Sequence, residues 1–291
     1  MIKRLKYHEI NFEKYTSCIE NSVQKNSYAN KETLDFLCEN WELLVWEDYR
    51  AVMPIPVKKK LGFNFVLMPL FCQQLGIFSN EKNAEIENEF HQFLLKNYKV
   101  VFYAYNHLNQ IEKTERKKNY FISKTEYALL RKGYFKGRKS TLKTAQYLEF
   151  KEISFQQNKD FIRTNFKGLD KTSDVAKLME YLKLLDKLGK LRVFGSYFEN
   201  SITNAALVID EQETFSLLGL VNDEEFKKHN GASFLIDRIL NENIHQKSFD
   251  FMGGSIRGIE VFFKSFGSQL QEYPVVARSK KDLLLKFFTK Q

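Results

Sequence analysis

Apolar residues recur along the chain with two alternating periods, and these periods predict helices and strands in a definite order. In the first half, apolar runs on both sides of the polar turn at residues 47–49 predict a β-hairpin. Helical spacing of three and four residues precedes and follows it. The elements predicted here are two helices, the hairpin, a strand, a helix and a strand, at residues 11–23, 31–40, 43–57, 63–71, 81–97 and 100–105.

The second half repeats this order. Its predicted elements are two helices, a hairpin, a strand, a helix and a strand, at residues 155–166, 175–188, 191–209, 214–221, 232–244 and 248–252. The same order in both halves predicts tandem copies of one mixed α/β unit. We expect an N-terminal domain at 1–135 and a C-terminal domain at 136–291, joined across a basic segment near residues 113–145. With no Gly/Ser-rich linker between them, a packed interface that forms a cleft is expected.

Composition agrees with two folded domains. The chain has 291 residues, and 43% of them are hydrophobic, including 27 Phe, which supplies enough apolar volume for two cores. Cys18, Cys38 and Cys72 are widely spaced and form no Cys-x-x-Cys pair, which favours reduced thiols in the cytoplasm. No apolar stretch reaches the ~18 residues needed to span a bilayer. We therefore expect a cytoplasmic protein without a membrane span.

The net charge of +9 favours anionic partners, among them phosphorylated cofactors, tRNA and lipid headgroups. Much of the excess lies in residues 113–118 and 132–143. A Lys-rich solvated surface is the simpler alternative.

The segment from Phe249 to Gly267 combines an aromatic strand, the pair Gly253 and Gly254, and an amphipathic helix. Gly267 stands where a helix C-cap is expected. The segment resembles the end of the GNAT acyltransferase fold, and more closely the run Asp-Phe-x-Gly-(Ser)-x-Ile-Pro-Gly-Ile of its FemAB-like branch. In layout the resemblance covers the whole chain, which implies two tandem GNAT-like domains. In motifs it covers residues 130–291, and in the first half only Gln73 to Gly76 looks similar to relatives.

The resemblance implies a place for a donor pyrophosphate. GNAT enzymes carry Gln/Arg-x-x-Gly-x-Gly/Ala before a helix, and the residues of this chain at that position are Lys228, Gly231, Ala232 and Ser233. Backbone amides at a helix N-terminus can hold phosphate oxygens, and a glycine permits close approach. The chain departs from the strong motif in having a single Gly and a Lys in place of Gln/Arg. An ordinary loop and helix cap is the alternative.

Asp250 lies on the strand beside which a GNAT fold would bind the acyl arm. Burial raises the pKa of a carboxyl, which suits a general base. The same carboxylate can instead cap the glycine turn by accepting backbone amides. Gly254 and Arg257 stand where relatives show Ser and Pro. Arg257 can reach a phosphate or carboxylate of a substrate or remain a solvated surface residue.

Amine acylation also needs a proton donor for the leaving group, and Tyr197, Glu260 and Tyr273 are the further catalytic candidates by position. Each also has an ordinary structural alternative in strand packing or on a helix surface. The basic segment resembles a family helix beside the cleft, and Arg131 and Arg138 are its candidate substrate-binding residues. A solvated basic helix is the alternative there.

The sequence contains no HExxH pair, no Walker loop and no Gly-x-Ser-x-Gly elbow, which disfavours metal-dependent hydrolysis, P-loop chemistry and serine esterase chemistry. The resemblance therefore implies an N-acyltransferase that uses an acyl-CoA such as acetyl-CoA as donor, without a metal, and a small amine or peptide as acceptor. Two alternatives stay open: an aminoacyl-tRNA-dependent peptidyltransferase of the FemAB type, and a catalytically inactive double-GNAT binding module.

Overall fold

The computed structural model describes residues 1–60 and 62–278. Over these residues the chain forms nine α-helices and thirteen strands. The helices are α1 (Phe12–Glu20), α2 (Lys31–Leu37), α3 (Ala84–Asn97), α4 (Tyr127–Lys132), α5 (Lys136–Thr144), α6 (Phe155–Asn165), α7 (Thr172–Lys187), α8 (Gly231–Asn243) and α9 (Arg257–Lys264). The strands are β1 (Ile2–Leu5), β2 (Asn40–Trp46), β3 (Ala51–Lys60), β4 (Phe63–Leu67), β5 (Phe78–Ser79), β6 (Lys99–Ala104), β7 (Glu115–Ile122), β8 (Glu149–Glu152), β9 (Leu191–Phe198), β10 (Ser201–Asp210), β11 (Thr214–Asn222), β12 (Ser248–Asp250) and β13 (Gln269–Ala277).

The chain divides into two compact units. The first contains Met1–Lys117 together with the segment that starts at Glu272, and the second contains Lys118–Gln271. This division differs from the boundary expected at 135/136. The basic helices α4 and α5 lie in the second unit, where α5 contacts α8. The end of β13 returns to the first unit, where Val275 to Ala277 pair with β6. The apolar periodicity of the sequence reveals neither the contact between α5 and α8 nor the pairing of β13 with β6.

The first unit has the strand order β1-β2-β3-β4-β6-β13, with β5 beside β3. Its neighbouring strands are antiparallel except β4 and β6, which are parallel and are connected by α3. The hairpin predicted at 43–57 is present as β2 and β3, with Glu47 and Tyr49 at positive φ in its turn. The helix predicted at 81–97 begins three residues later, at Ala84, because the Asn83 side chain caps it there.

The second unit has the strand order β7-β12-β11-β10-β9-β8. Only β11 and β12 are parallel, and α8 connects them. The helix predicted at 232–244 is observed, and its apolar face packs against β9, β10 and β11. Leu235, Ile239 and Leu240 are buried in that contact, and each contributes about 1.5–3 kcal/mol relative to an exposed position.

Five strands were not predicted from the sequence: β1, β5, β7, β8 and β13. Three of them carry several charges in few residues, as in the sequence Glu-Arg-Lys-Lys at the start of β7 and Glu-Phe-Lys-Glu in β8. Their backbone pairing depends on neighbours far away in sequence, which local periodicity does not reveal. Among the described residues, no helix is long and apolar enough to cross a membrane.

Candidate functional site

The strands β11 and β12 separate after a short parallel pairing. They pair at three positions only, the last joining Ser216 to Asp250, although β11 continues to Asn222. The chain turns away from β11 after β12 through Met252, Gly253 and Gly254, whose φ angles are 54°, 159° and 140°. Positive φ is uncommon for a residue with a side chain, so glycine fits this turn. A gap therefore opens beside the second half of β11.

A β-bulge lies on β11 along this gap. On β10, Leu207 is opposite Gly219 and Val208 is opposite Leu217, so Leu218 is the extra residue of the bulge. A bulge bends its strand and takes one residue out of the ladder. The sequence offered no signal for it, because Leu217 to Leu220 continue an apolar strand.

Phe166 closes the far end of the gap. Its backbone forms an antiparallel bridge with Val221, whose other edge pairs with Ala205. Phe166 therefore lies on the edge of β11 that β12 occupies earlier. A Cβ built on Gly219 would lie 2.5 Å from the Phe166 ring. Residues 217–220 of β11 therefore lie between the part of the edge that pairs with β12 and the part that pairs with Phe166. They span about 13 Å.

The N-terminus of α8 follows β11 after the 3-10 turn Glu224–His229. Asn230, at φ 61°, precedes the helix without a side-chain cap, and no acidic residue occurs in the first turn. Gly231 is buried, and a Cβ there would lie 1.7 Å from Asn204 Oδ1. The predicted glycine is therefore required by close packing of the helix on the sheet. The amides of Gly231 and Ala232 belong to the first turn, whose N–H groups have no intrahelical acceptor.

A buried polar network supports this helix from the sheet. The Ser196 hydroxyl lies 2.8 Å from Thr203 Oγ1 and donates to Asn204 Oδ1 at 3.1 Å. Asn204 Nδ2 donates to Asn222 Oδ1 at 2.7 Å. The network fixes the Asn204 amide directly beneath Gly231. These polar residues were not predicted, since they read as interruptions of apolar strands.

Ser233 and Arg138, predicted as donor-binding and substrate-binding residues, contact each other. An Arg138 guanidinium N–H donates to Ser233 Oγ, and Nε donates to Ser265 Oγ at 2.8 Å. The guanidinium also stacks on the rings of Phe262 and Phe266, at 4.5 and 4.6 Å. Burial lowers the pKa of Arg138. Arg138 therefore joins α5, α8 and α9 and places a cation at the first turn of α8.

Asp250 occupies the last paired position of β12. Its Oδ1 accepts hydrogen bonds from Met252 N at 2.7 Å and from Asn119 Nδ2 at 2.9 Å. The capping role considered as an alternative is therefore present. Burial raises the pKa of Asp250 to about 6, although the hydrogen bonds from Met252 and Asn119 act in the opposite direction. Asn119 is fully buried, and its Oδ1 accepts from Gly253 N at 2.8 Å, so it holds both Asp250 and the glycine turn.

Glu260 lies on α9 and contacts the same strand, β7, that carries Asn119. It accepts from Lys118 Nζ at 2.9 Å and from the Tyr120 hydroxyl at 2.7 Å. The hydrogen bond from Lys118, followed by that from Tyr120, lowers the pKa of Glu260. Tyr120 also packs on Gly254, where a Cβ would lie 2.4 Å from its ring. Strand β7 thus organises both predicted carboxylates, and it was not recognised from the sequence.

The remaining predicted residues lie elsewhere. Tyr197 is on β9, about 14 Å across the sheet from β12, and lies six residues along β9 from Leu191, which is the position in register with Asp250. Tyr273 is buried on β13 in the first unit. Arg257 is exposed at the start of α9, and Lys228 is exposed on a 3-10 turn before α8. Arg131 lines a surface pocket of about 410 Å³ with Tyr127, Ala128, Lys132 and Lys139.

No group of three or more His, Cys, Asp and Glu side chains suited to a metal ion occurs within residues 1–60 and 62–278.

Solved structures share the fold of this chain over nearly its whole length. A crystal structure of FemX matches 99% of this chain and 100% of its own length, with a TM-score of 0.66 at 10% identity. A conserved protein of unknown function from Bacteroides thetaiotaomicron matches 96% of this chain and 100% of its own, with a TM-score of 0.59 at 11% identity. A tandem GNAT protein from the clavulanic acid biosynthesis pathway matches 94% of this chain and 97% of its own length, with a TM-score of 0.53 at 8% identity.

No protein-family model and no curated protein matches the sequence. The structural likeness confirms the mixed α/β fold with two tandem GNAT-like domains.

Proposed function

We propose that the protein is an N-acyltransferase that moves an acyl group from an acyl-CoA, such as acetyl-CoA, to a small amine or peptide, and that the second unit binds the donor. The observation that carries this proposal is the gap between β11 and β12 beside the uncapped N-terminus of α8. A thioester donor needs a phosphate site at one end and a channel for its acyl arm, and these two features lie next to each other.

The first turn of α8 suits a pyrophosphate. The amides of Gly231 and Ala232 point out of the helix, the helix dipole favours an anion there, and Arg138 adds a positive charge at Ser233. Lys228, on the exposed turn before the helix, is the further candidate for a phosphate contact.

Asp250 is the candidate proton acceptor. A base first removes a proton from the ammonium; the neutral amine then attacks the thioester carbonyl to form the C–N bond, the C–S bond breaks, and coenzyme A leaves as a thiolate that takes up a proton. Among the described residues, Asp250 Oδ2 has no hydrogen-bond partner, whereas Oδ1 holds the turn. Glu260, whose pKa is lowered by Lys118 and Tyr120, is better suited to orienting β7 and α9. Tyr197 and Tyr273 remain predictions from the sequence, as do Arg257 and Arg131 for the acceptor.

A second candidate is aminoacyl-tRNA-dependent transfer of the FemAB type. The observation that favours it is Phe166, which closes the gap about 13 Å beyond the last β11–β12 pair. An amino acid esterified directly to a ribose needs no long arm, so a short gap suits this donor. FemX is also among the structures that match the full chain.

Donor binding tests the proposal. Thermal unfolding is measured with acetyl-CoA, a long-chain acyl-CoA and charged tRNA, at low and moderate salt. The variant Ala232→Glu places a negative charge at the proposed phosphate site without disturbing Gly231, where any side chain would collide with Asn204. Ala232→Ser controls for size, and Ala84→Glu places the same charge in the first turn of α3.

Stabilisation of the wild type by an acyl-CoA, retained in Ala232→Ser and Ala84→Glu and lost in Ala232→Glu, is the expected result. A ligand at 100 times its Kd stabilises by about 2.7 kcal/mol, which such a measurement resolves. Stabilisation by charged tRNA alone would select the second candidate. No shift with any donor would overturn both and favour an inactive binding module.

A further inference from the structure

The second unit presents a face on which exposed apolar and basic side chains alternate. It consists of Phe135, Lys136, Arg257, Val261 and Lys264, and is called the docking face below. Phe135 is 49% exposed and Val261 is 55% exposed. Arg257, Val261 and Lys264 follow a spacing of four and three residues, so they share one side of α9. Large apolar side chains exposed on one element call for a physical explanation.

The two parts of the docking face are held together by the fold. The Phe135 amide donates to the Ser265 carbonyl at 3.0 Å, and Ser265 lies one helical turn after Val261. Phe135 therefore stands beside the C-terminal end of α9. Ile256, immediately before the helix, is also exposed, at 66%.

Positive charges predominate around this face. Residues 127–148 contain six Lys and Arg and no Asp or Glu. Lys136, Lys139 and Lys143 follow helical spacing on α5, and within the described part of the chain none of them forms an ion pair. The only acidic residue of α9, Glu260, is bound to Lys118 and Tyr120. A ligand here meets cations that are not neutralised by the protein.

We propose that the docking face binds an anionic lipid surface. Apolar tips flanked by Lys and Arg are what a helix lying in a bilayer interface requires, since the tips enter the acyl boundary and the cations contact the headgroups. A protein partner fits less well, because the cores of protein interfaces are depleted in Lys, and here Val261 lies between Arg257 and Lys264. The proposal stands independently of the acyl donor.

Vesicle co-sedimentation of the full chain tests it. Phosphatidylcholine vesicles with about one third phosphatidylglycerol are compared with pure phosphatidylcholine at two salt concentrations. The apolar double variant Phe135→Ser with Val261→Ser is compared with Leu188→Ser, which alters an exposed apolar residue at the end of α7. The charge variant Lys136→Gln with Lys264→Gln is compared with Lys159→Gln plus Lys187→Gln, which lowers the net charge equally on other exposed helices.

The expected result is binding to the anionic vesicles, reduced about tenfold or more by each docking-face pair and unchanged by the controls. All four variants are expected to retain the wild-type circular dichroism spectrum and unfolding temperature, since the altered side chains are exposed. If both Lys→Gln double variants lost the same amount of vesicle binding, the binding would be an unspecific attraction of a basic protein to anionic lipid, and the proposal would be overturned. Unchanged binding in the apolar pair, no vesicle binding, or binding of single-stranded RNA in place of vesicles would also overturn it.

Discussion

Each unit contains a helix that connects two parallel neighbouring strands, but the two helices begin differently. In the first unit the Asn83 side chain accepts hydrogen bonds from Glu85 N and Ile86 N at the start of α3, and Glu85 and Glu87 place negative charge in that turn. In the second unit α8 begins with Gly231 and Ala232, with no side-chain cap and no acidic residue in the first turn. Side chains occupy the first amides of α3 and place negative charge beside them, whereas no side chain caps those of α8.

The segments that precede these two helices also differ: the one before α3 is buried, and the one before α8 is exposed. In the first unit the chain at 72–77 is largely buried: Gly76 N donates to the Tyr103 hydroxyl at 3.0 Å and Ile77 N to Asn109 Oδ1 at 3.0 Å. A Cβ on Gly76 would lie 2.2 Å from Asn109 Oδ1. In the second unit the corresponding segment is a short exposed turn, Glu224–His229. In the first unit the chain itself fills the space before α3, which is why we propose that the donor binds to the second unit.

The largest effect is expected from Asp250→Asn. Asp250 takes the last parallel position of β12, whereas Phe102 takes the last parallel position of β6, so only the second unit has a carboxylate there. If Asp250 accepts the proton of the amine, kcat should fall about 100-fold to 1,000-fold. Because the pKa of Asp250 is raised to about 6, wild-type kcat should rise with pH through that value. In a pH profile of kcat, the variant should not show this rising limb.

The stability of the same variant provides the control. The folded pKa of Asp250 lies above its usual value, so the contribution of this group to stability is present at low pH and is lost as the pH rises through about 6. Asp250→Asn should therefore unfold at the wild-type temperature or above it at pH 7.5, since the amide oxygen can still accept from Met252. A variant that is destabilised at pH 7.5 and keeps the pH limb would assign Asp250 to the turn alone.

The second largest effect is expected from Gly231→Ala. The added Cβ would overlap Asn204 Oδ1 in the buried network beneath α8, and overpacking of this kind costs about 3 kcal/mol of unfolding free energy. Gly76→Ala should cost a similar amount, because its Cβ would approach the Asn106 backbone amide to 2.6 Å and its φ is positive. Urea unfolding measures both variants.

Gly137→Ala is the matched control for these two glycines. Gly137 lies inside α5 with nothing within 4 Å of a built Cβ, so alanine there should stabilise the protein by about 0.5–1 kcal/mol. Equal unfolding free energies for all three variants would contradict the close packing described at Gly231 and Gly76.

These contacts show what the sequence could and could not predict. The hairpins and the helices α3, α7 and α8 were predictable because each buries an apolar stripe of regular period. Gly231 was predictable as a special position, although its reason, the collision with Asn204, needs the sheet beneath it. Asn119 and Tyr120 were missed because they follow four charged residues of β7 and act through partners more than 130 residues away.

A moderate effect is expected from Phe166→Ala, which tests whether the gap in the second unit can widen. The substitution keeps the backbone bridge to Val221 but removes the ring over Gly219, which leaves more space beside β11 for a donor with a long arm. Apparent Kd for acyl-CoA should fall about threefold to tenfold, while loss of the half-buried ring should cost about 1–2 kcal/mol of stability. Phe166→Leu should give intermediate values in both measurements. A loss of stability with unchanged acyl-CoA affinity would show that Phe166 packs against β11 without limiting the donor.

The smallest effect is expected from the residues that precede the two helices. Asn83→Ala removes the side-chain acceptor of two amides of α3 and should cost about 1 kcal/mol of unfolding free energy. Asn230 makes no such cap and sits at φ 61°, where glycine is better tolerated, so Asn230→Gly should change stability by less than about 0.5 kcal/mol. Equal costs in urea unfolding would mean that α8 is capped like α3. Its first turn would then be occupied, and the difference that assigns the donor to the second unit would be lost.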